Sequence, residues 1–379
     1  AVGEGDCSFP AREVEIYEGY NRQYEEGTWA LTTRQTMRRL AYCASQGDPF
    51  AILYLGHAYK HTTTVAELEC PYAKRLYRIA YPKIAEIAEN PSDPQYEHAN
   101  FQLALEAFNN WRSIPYLSSH LTPLEYLERI PTSRRGELLK RLYQLRYGPK
   151  NEKPRWEEFL DGDDLKNHPW AFLRSMNFFR FEGDEYIKAY ESALSKCQHP
   201  GFLLELADVY KEEFESPWTD SSLKHLYKEK ALPLLKRAGE LGCPIAYLKM
   251  TEFFIPNEFG FECDFDFEKV QTKEDLLLCC EYITKAAYLG LPEAFFHLGQ
   301  LTSEYYTRIE ELAPLPREIN LQAHRTMDFF HKIAVQQGLW WAYEWVAEDF
   351  PNDVAFHQNY PSLREEKKRL YNLVVRKAG

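Results

Sequence analysis

An all-α fold, an α/α superhelical solenoid of stacked helical hairpins, is what this sequence predicts, and three observations predict it. A glycine is followed four residues later by alanine at Gly47/Ala51, Gly242/Ala246, Gly290/Ala294 and Gly338/Ala342. A proline stands second in a two-residue restart at Asp48-Pro49, Asp93-Pro94, His168-Pro169, His199-Pro200, Cys243-Pro244 and Leu291-Pro292. Apolar residues recur at helical spacing before the glycines and after the prolines. Glycine ends a helix because it enters the left-handed region without strain, and proline is tolerated in the first turn because its missing N–H would be unsatisfied there anyway. Helix, stop, restart and helix, returning along one chain, is a repeat array.

Taken in order, residues 1–30 are polar and aromatic, are broken by Pro10 and Gly19, and read as an N-terminal cap with one short helix over Ala11 to Glu25. The array is expected over 31–361. Its first unit pairs a helix over Thr33 to Ser45, stopped at Gly47, with one over Phe50 to Lys60 that starts from the N-capping Asp48. A weaker restart lies at Ile130-Pro131, and the last unit, from Gly338-Leu339-Trp340, lacks the proline. Restarts lie 31 to 48 residues apart, so the helical pair is kept while the loops vary, as stacked repeats tolerate. The clearest second helices are Lys228 to Leu241, Lys273 to Leu289 and Gln322 to Gln337. Their rows Leu235/Ala238, Ile283/Ala286/Ala287 and Phe330/Ile333/Ala334 let neighbouring helices approach closely. Pro233 is expected in the first turn of its helix or at a bend. Loops are read at Lys60 to Thr64, Trp111 to Thr122, Arg146 to Lys153, Glu215 to Ser222, Pro256 to Lys269 and Pro314 to Ile319, with Arg146 to Lys153 as the hinge. Residues 362–379 form a terminal helix, acidic at its start and basic at its end to match the helix dipole, that caps the array.

Charge and composition narrow the partners. With 57 acidic against 45 basic residues and a net charge of -12, the chain repels a phosphate backbone, so nucleic acid is not an expected partner. No apolar run approaches the roughly 18 to 20 residues of a membrane helix, and no membrane span is expected. Hydrophobic residues at 45%, including 26 Tyr, 23 Phe and 8 Trp, supply enough apolar surface to fold most of the chain. The eight cysteines form no CxxC pair, which leaves a structural zinc site unsupported. Two readings of them stay open: buried thiols acting as small apolar residues, or disulfides, with Cys263 to Cys279 or Cys280 the first pairing to test. The first residue, Ala1, fits a cleaved signal peptide as well as a trimmed terminus; a periplasmic or secreted protein is expected, with a cytoplasmic one as the alternative.

Catalytic signatures are missing. There is no Gly-x-Ser-x-Gly elbow, no phosphate-cradling glycine loop and no HExxH pattern, so neither an enzyme nor a cofactor is expected. The enzyme reading would require a pocket with paired titratable groups in the atypical region 61–227. His57 and His61 lie four residues apart on a helix but no third ligand is arranged near them, and no metal site is assigned. The run Asp264-Phe265-Asp266-Phe267-Glu268 lacks the glycine and spacing of an EF-hand loop; it reads as a solvated loop with Phe265 or Phe267 buried, long, acidic and aromatic enough for a partner contact.

The stretch Lys285-Ala-Ala-Tyr-Leu-Gly290-Leu-Pro-Glu-Ala294-Phe-Phe-His-Leu298-Gly299 resembles the Sel-one-like repeat, a relative of the tetratricopeptide repeat, and Gly47 to Tyr59 and Lys236 to Met250 resemble it next best. The resemblance covers residues 230–347 and 34–60 and weakens over 61–227, where Gln198 or Asn167 replaces the glycine. It implies a right-handed superhelix whose inner face binds another protein. If the helix phase follows the tetratricopeptide pattern, that face carries Phe50, His57, Lys60, Trp170, Asn177, Arg180, Asp208, Glu252, Phe296, Gln300, Trp341, Glu344 and Glu348, with Leu53, Leu173, Leu204, Leu248 and Glu293 alongside. The resemblance further implies a non-enzymatic role. The first expectation is a bacterial exported or periplasmic immunity-type inhibitor that blocks a toxic effector enzyme, of the type VI secretion lipase kind. The alternative is an adaptor or scaffold in secretion, protein quality control or signalling. The regular cysteine pairs of that family's cysteine-rich branch are not found here.

Overall fold

The computed structural model describes residues 41–61, 71–109, 121–148, 160–176, 184–216, 218–255, 272–289, 291–312 and 317–337, with a few isolated positions between them. Among these residues the chain is all helical, without strands, and helices pack on their sequence neighbours. Two compact units are formed. The described residues as far as Ala189 belong to one and those from Tyr190 to Leu363 to the other. The expected cap over 1–30, the terminal helix over 362–379 and the hinge residues beyond Gly148 lie outside the described residues, one isolated helical position at residue 372 excepted.

The stop and restart form one repeated hydrogen-bonded joint. Gly47 and Gly242 have φ of 95° and 92°. Around Gly47 its own N–H donates to Ala44 O at 3.0 Å and Asp48 N–H donates to Cys43 O at 3.3 Å. Around Gly242 the same two bonds run from Gly242 to Gly239 O at 2.9 Å and from Cys243 to Ala238 O at 3.1 Å. This pair of bonds is the Schellman closure of a helix end, which needs a left-handed residue between its donors. Leu291 N–H makes the longer bond of the pair to Ala286 O at 3.2 Å. Immediately beyond the joint the next helix starts on the proline, as in Asp48-Pro49, where Asp48 Oδ1 caps Phe50 N–H at 2.9 Å.

In the first unit, α1 (Pro49–His61) packs on α2 (Pro71–Glu89), which packs on α3 (Tyr96–Asn109). Two shorter helices and a longer one follow, α4 (Pro123–Glu128), α5 (Arg134–Tyr147) and α6 (Gly162–Asn167), then α7 (Pro169–Ser175). Here side-chain caps open the helices. Thr122 with Glu125 and Asp161 with Asp164 form capping boxes, and Ser133 caps α5. The proline ruler accordingly misplaces two starts. Asp93 Oδ1 takes Gln95 N–H at 2.8 Å, so the chain turns once more before α3. The Ser133 cap starts α5 beyond Pro131. Arg134 then ties α5 to α6 through a forked pair to the buried Asp164, at 2.8 and 2.5 Å.

The division between the units falls within α8 (Glu185–Lys196). In the second unit α9 (Pro200–Glu215), α10 (Ser221–Glu240), α11 (Pro244–Glu252), α12 (Lys273–Tyr288), α13 (Pro292–Leu312) and α14 (Arg317–Gln337) each pack on the next. The predicted rows Leu235/Ala238, Ile283/Ala286/Ala287 and Ala334 are buried. Pro233 sits deep inside α10 rather than in its first turn, because Asp220 caps a start seven residues earlier than the predicted Lys228. Pro82 is likewise inside α2, so the carbonyls four residues before each proline lose their helical donor. One hairpin in each unit has the same kind of close approach. A Cβ on Gly56 of α1 would lie 2.7 Å from the Tyr77 ring of α2, and one on Gly299 of α13 would overlap His331 of α14.

A Cβ at Gly242 would meet nothing within 4 Å, so its requirement is purely conformational. Gly242→Ala is expected to cost about 1 kcal/mol in urea unfolding, and Gly242→Asn, which tolerates the left-handed region, should cost less. Equal losses for the two variants would contradict the joint as described.

Candidate functional site

The residues expected on the inner face divide into three groups. Phe50, Trp170 and Phe296 are core residues, at 4%, 3% and 2% exposure. Phe50 lies against His98 with ring centres 4.5 Å apart, Trp170 meets Phe101 edge-on at 5.8 Å, and Phe296 stacks on His331 at 4.9 Å. Leu53, Leu173, Leu204 and Leu248 are buried as well. Asn177, Arg180, Trp341, Glu344 and Glu348 lie outside the described residues, as does the side chain of Lys60.

The third group is polar and lies in one register. The fifth and eighth residues after the restart proline are Tyr54 and His57 in α1, Glu205 and Asp208 in α9, Lys249 and Glu252 in α11, and His297 and Gln300 in α13. Three residues apart, each pair shares a helix face. In α1, α9 and α11 members of this row join alternate helices. From α1 to α3, Tyr54 OH donates to Gln102 Oε1 at 3.0 Å and His57 Nε2 meets Glu106 Oε1 at 3.0 Å. From α9 to α11, Lys249 Nζ bridges both Asp208 oxygens at 3.0 and 3.1 Å, and Lys211 Nζ reaches Glu252 at 2.7 Å. Within α13, His297 Nδ1 and Gln300 Oε1 are 2.8 Å apart.

The α1–α3 cluster is the most enclosed. Glu106 Oε1 also accepts from Gln102 at 3.0 Å and Oε2 accepts from Tyr81 OH at 2.9 Å, while the second His57 nitrogen faces Tyr77 OH at 3.0 Å. An ionised carboxylate only accepts, so Nε2 of His57 carries a proton. Burial pushes the Glu106 carboxyl upward, but the attraction of His57 and hydrogen bonds from His57, Tyr81 and Gln102 outweigh it and hold Glu106 below its ordinary value. Both histidine nitrogens are thereby engaged. The arrangement clamps three helices in one register, as buried polar networks do when every member is bonded.

A second feature has no counterpart in the sequence reading. Between α12 and α13, with Phe330 of α14 beside them, lies an open apolar groove of about 660 Å³ lined by Leu276, Leu277, Cys280, Tyr288, Leu298 and Tyr305 among others. It exists because α12 is apolar on two sides. Leu276, Cys279, Ile283 and Ala286 turn into the core, while Leu277, Cys280, Thr284 and Tyr288 form a further stripe along the helix. Leu277 is 54% and Tyr288 90% exposed. A helix that is apolar beyond its core stripe belongs in a larger core or against a partner. Near the start of α13, Glu293 Oε2 is shut off from water without a hydrogen-bond partner, and burial raises its carboxyl to about 7.

The cysteines of this region, Cys279 and Cys280, are free thiols, and Cys263 lies outside the described residues. Of the two phenylalanines in the acidic loop, Phe267 is buried and Phe265 lies outside the described residues. Among the described residues no helix is long and apolar enough to cross a membrane. No protein-family model matches the chain, and no curated protein matches it.

The two buried carboxyls have opposite pH dependences. The contribution of Glu106, whose value is depressed from 4.5, is present above that value and lost as pH falls through the lowered one. Glu293 is raised from 4.5 to about 7, so its contribution is present below 4.5 and lost as pH rises through about 7. In denaturation series from about pH 3 to about pH 8, Glu106→Gln should lose about 1–3 kcal/mol at neutral pH and show a shallower acid limb. Glu293→Gln should be more stable than the parent at about pH 8 and no more stable near pH 4. Parallel profiles for parent and variants would refute these assignments.

Proposed function

We propose that the chain is a non-enzymatic, protein-binding repeat protein built as an α/α superhelical solenoid, and that it takes its partner along the apolar groove between α12 and α13. The observation that supports this reading is the second apolar stripe of α12, which leaves Leu277 and Tyr288 in water beside an unfilled groove. Exposed aromatic and aliphatic side chains around a concavity are the usual anchors of a protein interface. In the polar row, by contrast, His57, Asp208 and Glu252 are engaged in bonds between helices, with side chains at 13%, 22% and 23% exposure.

The narrower reading, a bacterial exported or periplasmic immunity-type inhibitor of a toxic enzyme, rests on the repeat resemblance and the acidic, aromatic surface. The adaptor reading rests on the resemblance alone.

Affinity capture with the parent chain and with the Leu277→Gln/Tyr288→Gln variant tests both levels. Both substitutions are at exposed positions, so helicity by circular dichroism should be unchanged. A stoichiometric protein partner is expected with the parent, and its capture should fall about ten-fold or more with the variant. A secreted hydrolase that loses activity on binding would support the inhibitor, and a set of envelope or housekeeping proteins the adaptor. Equal capture by both forms would remove the groove from the interface.

A further inference from the structure

We propose that the occupant of the groove is a single amphipathic α-helix of a partner protein, about three turns long, apolar on the face that enters and basic on its flanks. The inference rests on the reading of the groove as a protein-binding surface and adds the form and charge of what binds there.

The walls decide the form. Both are helices, whose main-chain groups are bonded within the helix, and among the described residues there is no strand edge to extend. An occupant gains no backbone hydrogen bonds from such walls and must satisfy its own, which an extended peptide cannot do and a helix does. Dimensions agree. From Leu276 to Tyr288 along α12, and from Phe295 to Tyr305 along α13, the lining spans about 18 Å and about 15 Å at the helical rise, or about three turns. A small apolar molecule would fit the volume but would leave the rim wet. Leu277, Tyr288 and Tyr305, at 54%, 90% and 38% exposure, continue the apolar surface outside the cavity on both walls. A helix lying along the groove covers cavity and rim together.

Charge decides the flanks. Over residues 273–305 the walls carry Glu274, Asp275, Glu281 and Glu304, besides the enclosed Glu293, against Lys273 and Lys285, and α14 adds Glu318 and Asp328 against Arg317, Arg325 and Lys332. Lys285 and Glu281 are bound to each other at 2.5 Å and offset one another. With a net charge of -12 over the whole chain, the field around the groove attracts lysine and arginine and repels an acidic helix.

The groove supplies its own reporter. Cys280 lines it as a free thiol, and its neighbour Cys279 is buried, with its thiol pushed up to about 12 and therefore inert at neutral pH. The probe is a labelled, amidated 14-residue peptide of leucine and lysine with leucines at helical spacing. Controls carry two prolines in the middle or glutamate in place of every lysine. Anisotropy gives affinity, and peptide mass mapping gives the rate of alkylation at Cys280. The basic helix should bind one to one, slow alkylation of Cys280 about ten-fold or more, and bind about ten-fold more weakly to Leu277→Gln/Tyr288→Gln. The proline and glutamate peptides should each bind at least about ten-fold more weakly than the basic helix. Unprotected Cys280, or controls that bind as tightly as the basic helix, would overturn the inference. If the captured partner is lost with the Leu277→Gln/Tyr288→Gln variant yet the peptide does not enter, the groove remains the protein-binding surface and only the helical, basic occupant is wrong.

Discussion

Left-handed backbone at two glycines among the described residues is the constraint on which the helix-to-helix joints depend. At Gly47 and Gly242 a φ above 90° lets two successive N–H groups turn back to the carbonyls of the closing helix. Proline then opens the next helix without forfeiting a bond. The joint is short, so two consecutive helices must pack on each other rather than on distant parts of the chain. In the second unit this geometry sets α10 against α11. Between Thr122 and Asp164 no joint of this kind occurs among the described residues; capping boxes open α4 and α6, and α5 ends at Gly148 in an extended conformation.

Consecutive packing leaves a second task, which is to hold every other helix in register. The polar row does this. Tyr54 and His57 reach Gln102 and Glu106, and Asp208 and Lys211 reach Lys249 and Glu252. Each bond crosses from a proline-started helix to the next helix but one, and burial makes a misplaced partner expensive, since an unpaired carboxylate such as Glu106 would then face the core alone. The two clusters differ in chemistry: the first sets a carboxylate among histidine, tyrosine and glutamine, and the second pairs lysines with carboxylates.

Much of this was legible in the sequence. Glycine and proline spacings located α1, α7, α9, α11 and α13, because those residues act through their own backbone and need no distant neighbour. The row containing His57, Asp208, Glu252 and Gln300 was also found from register. Its use was not. Whether a polar side chain at an inner position faces a partner or a neighbouring helix depends on what stands opposite, and Glu106 or Lys249 enters only through tertiary packing. Phe50, Trp170 and Phe296 illustrate the same limit: period places them on a face, and only packing shows that the face is closed. The double stripe of α12 was readable in principle. Leu276, Leu277, Cys279, Cys280, Ile283 and Thr284 are apolar or small on more sides than one neighbour needs, but a run of that kind looks from sequence like a well-buried helix.

These two findings bear on each other. A row of side chains committed to bonds between helices is a poor place to recognise a partner, because binding would first have to break bonds that keep the array in register. An interface is better placed where the array leaves contacts unmade, and α12 supplies such a place at no cost to packing. Its core stripe, Leu276 to Ala286, is already satisfied by its neighbours, so Leu277 and Tyr288 contribute nothing to folding that the chain would lose on binding. Leaving large apolar side chains in water carries a hydrophobic cost of about 25 cal/mol per Å² of exposed apolar area, recovered only when another surface covers them. Under the proposed function the labour is divided: the polar row holds helices in order, and the apolar groove receives the partner.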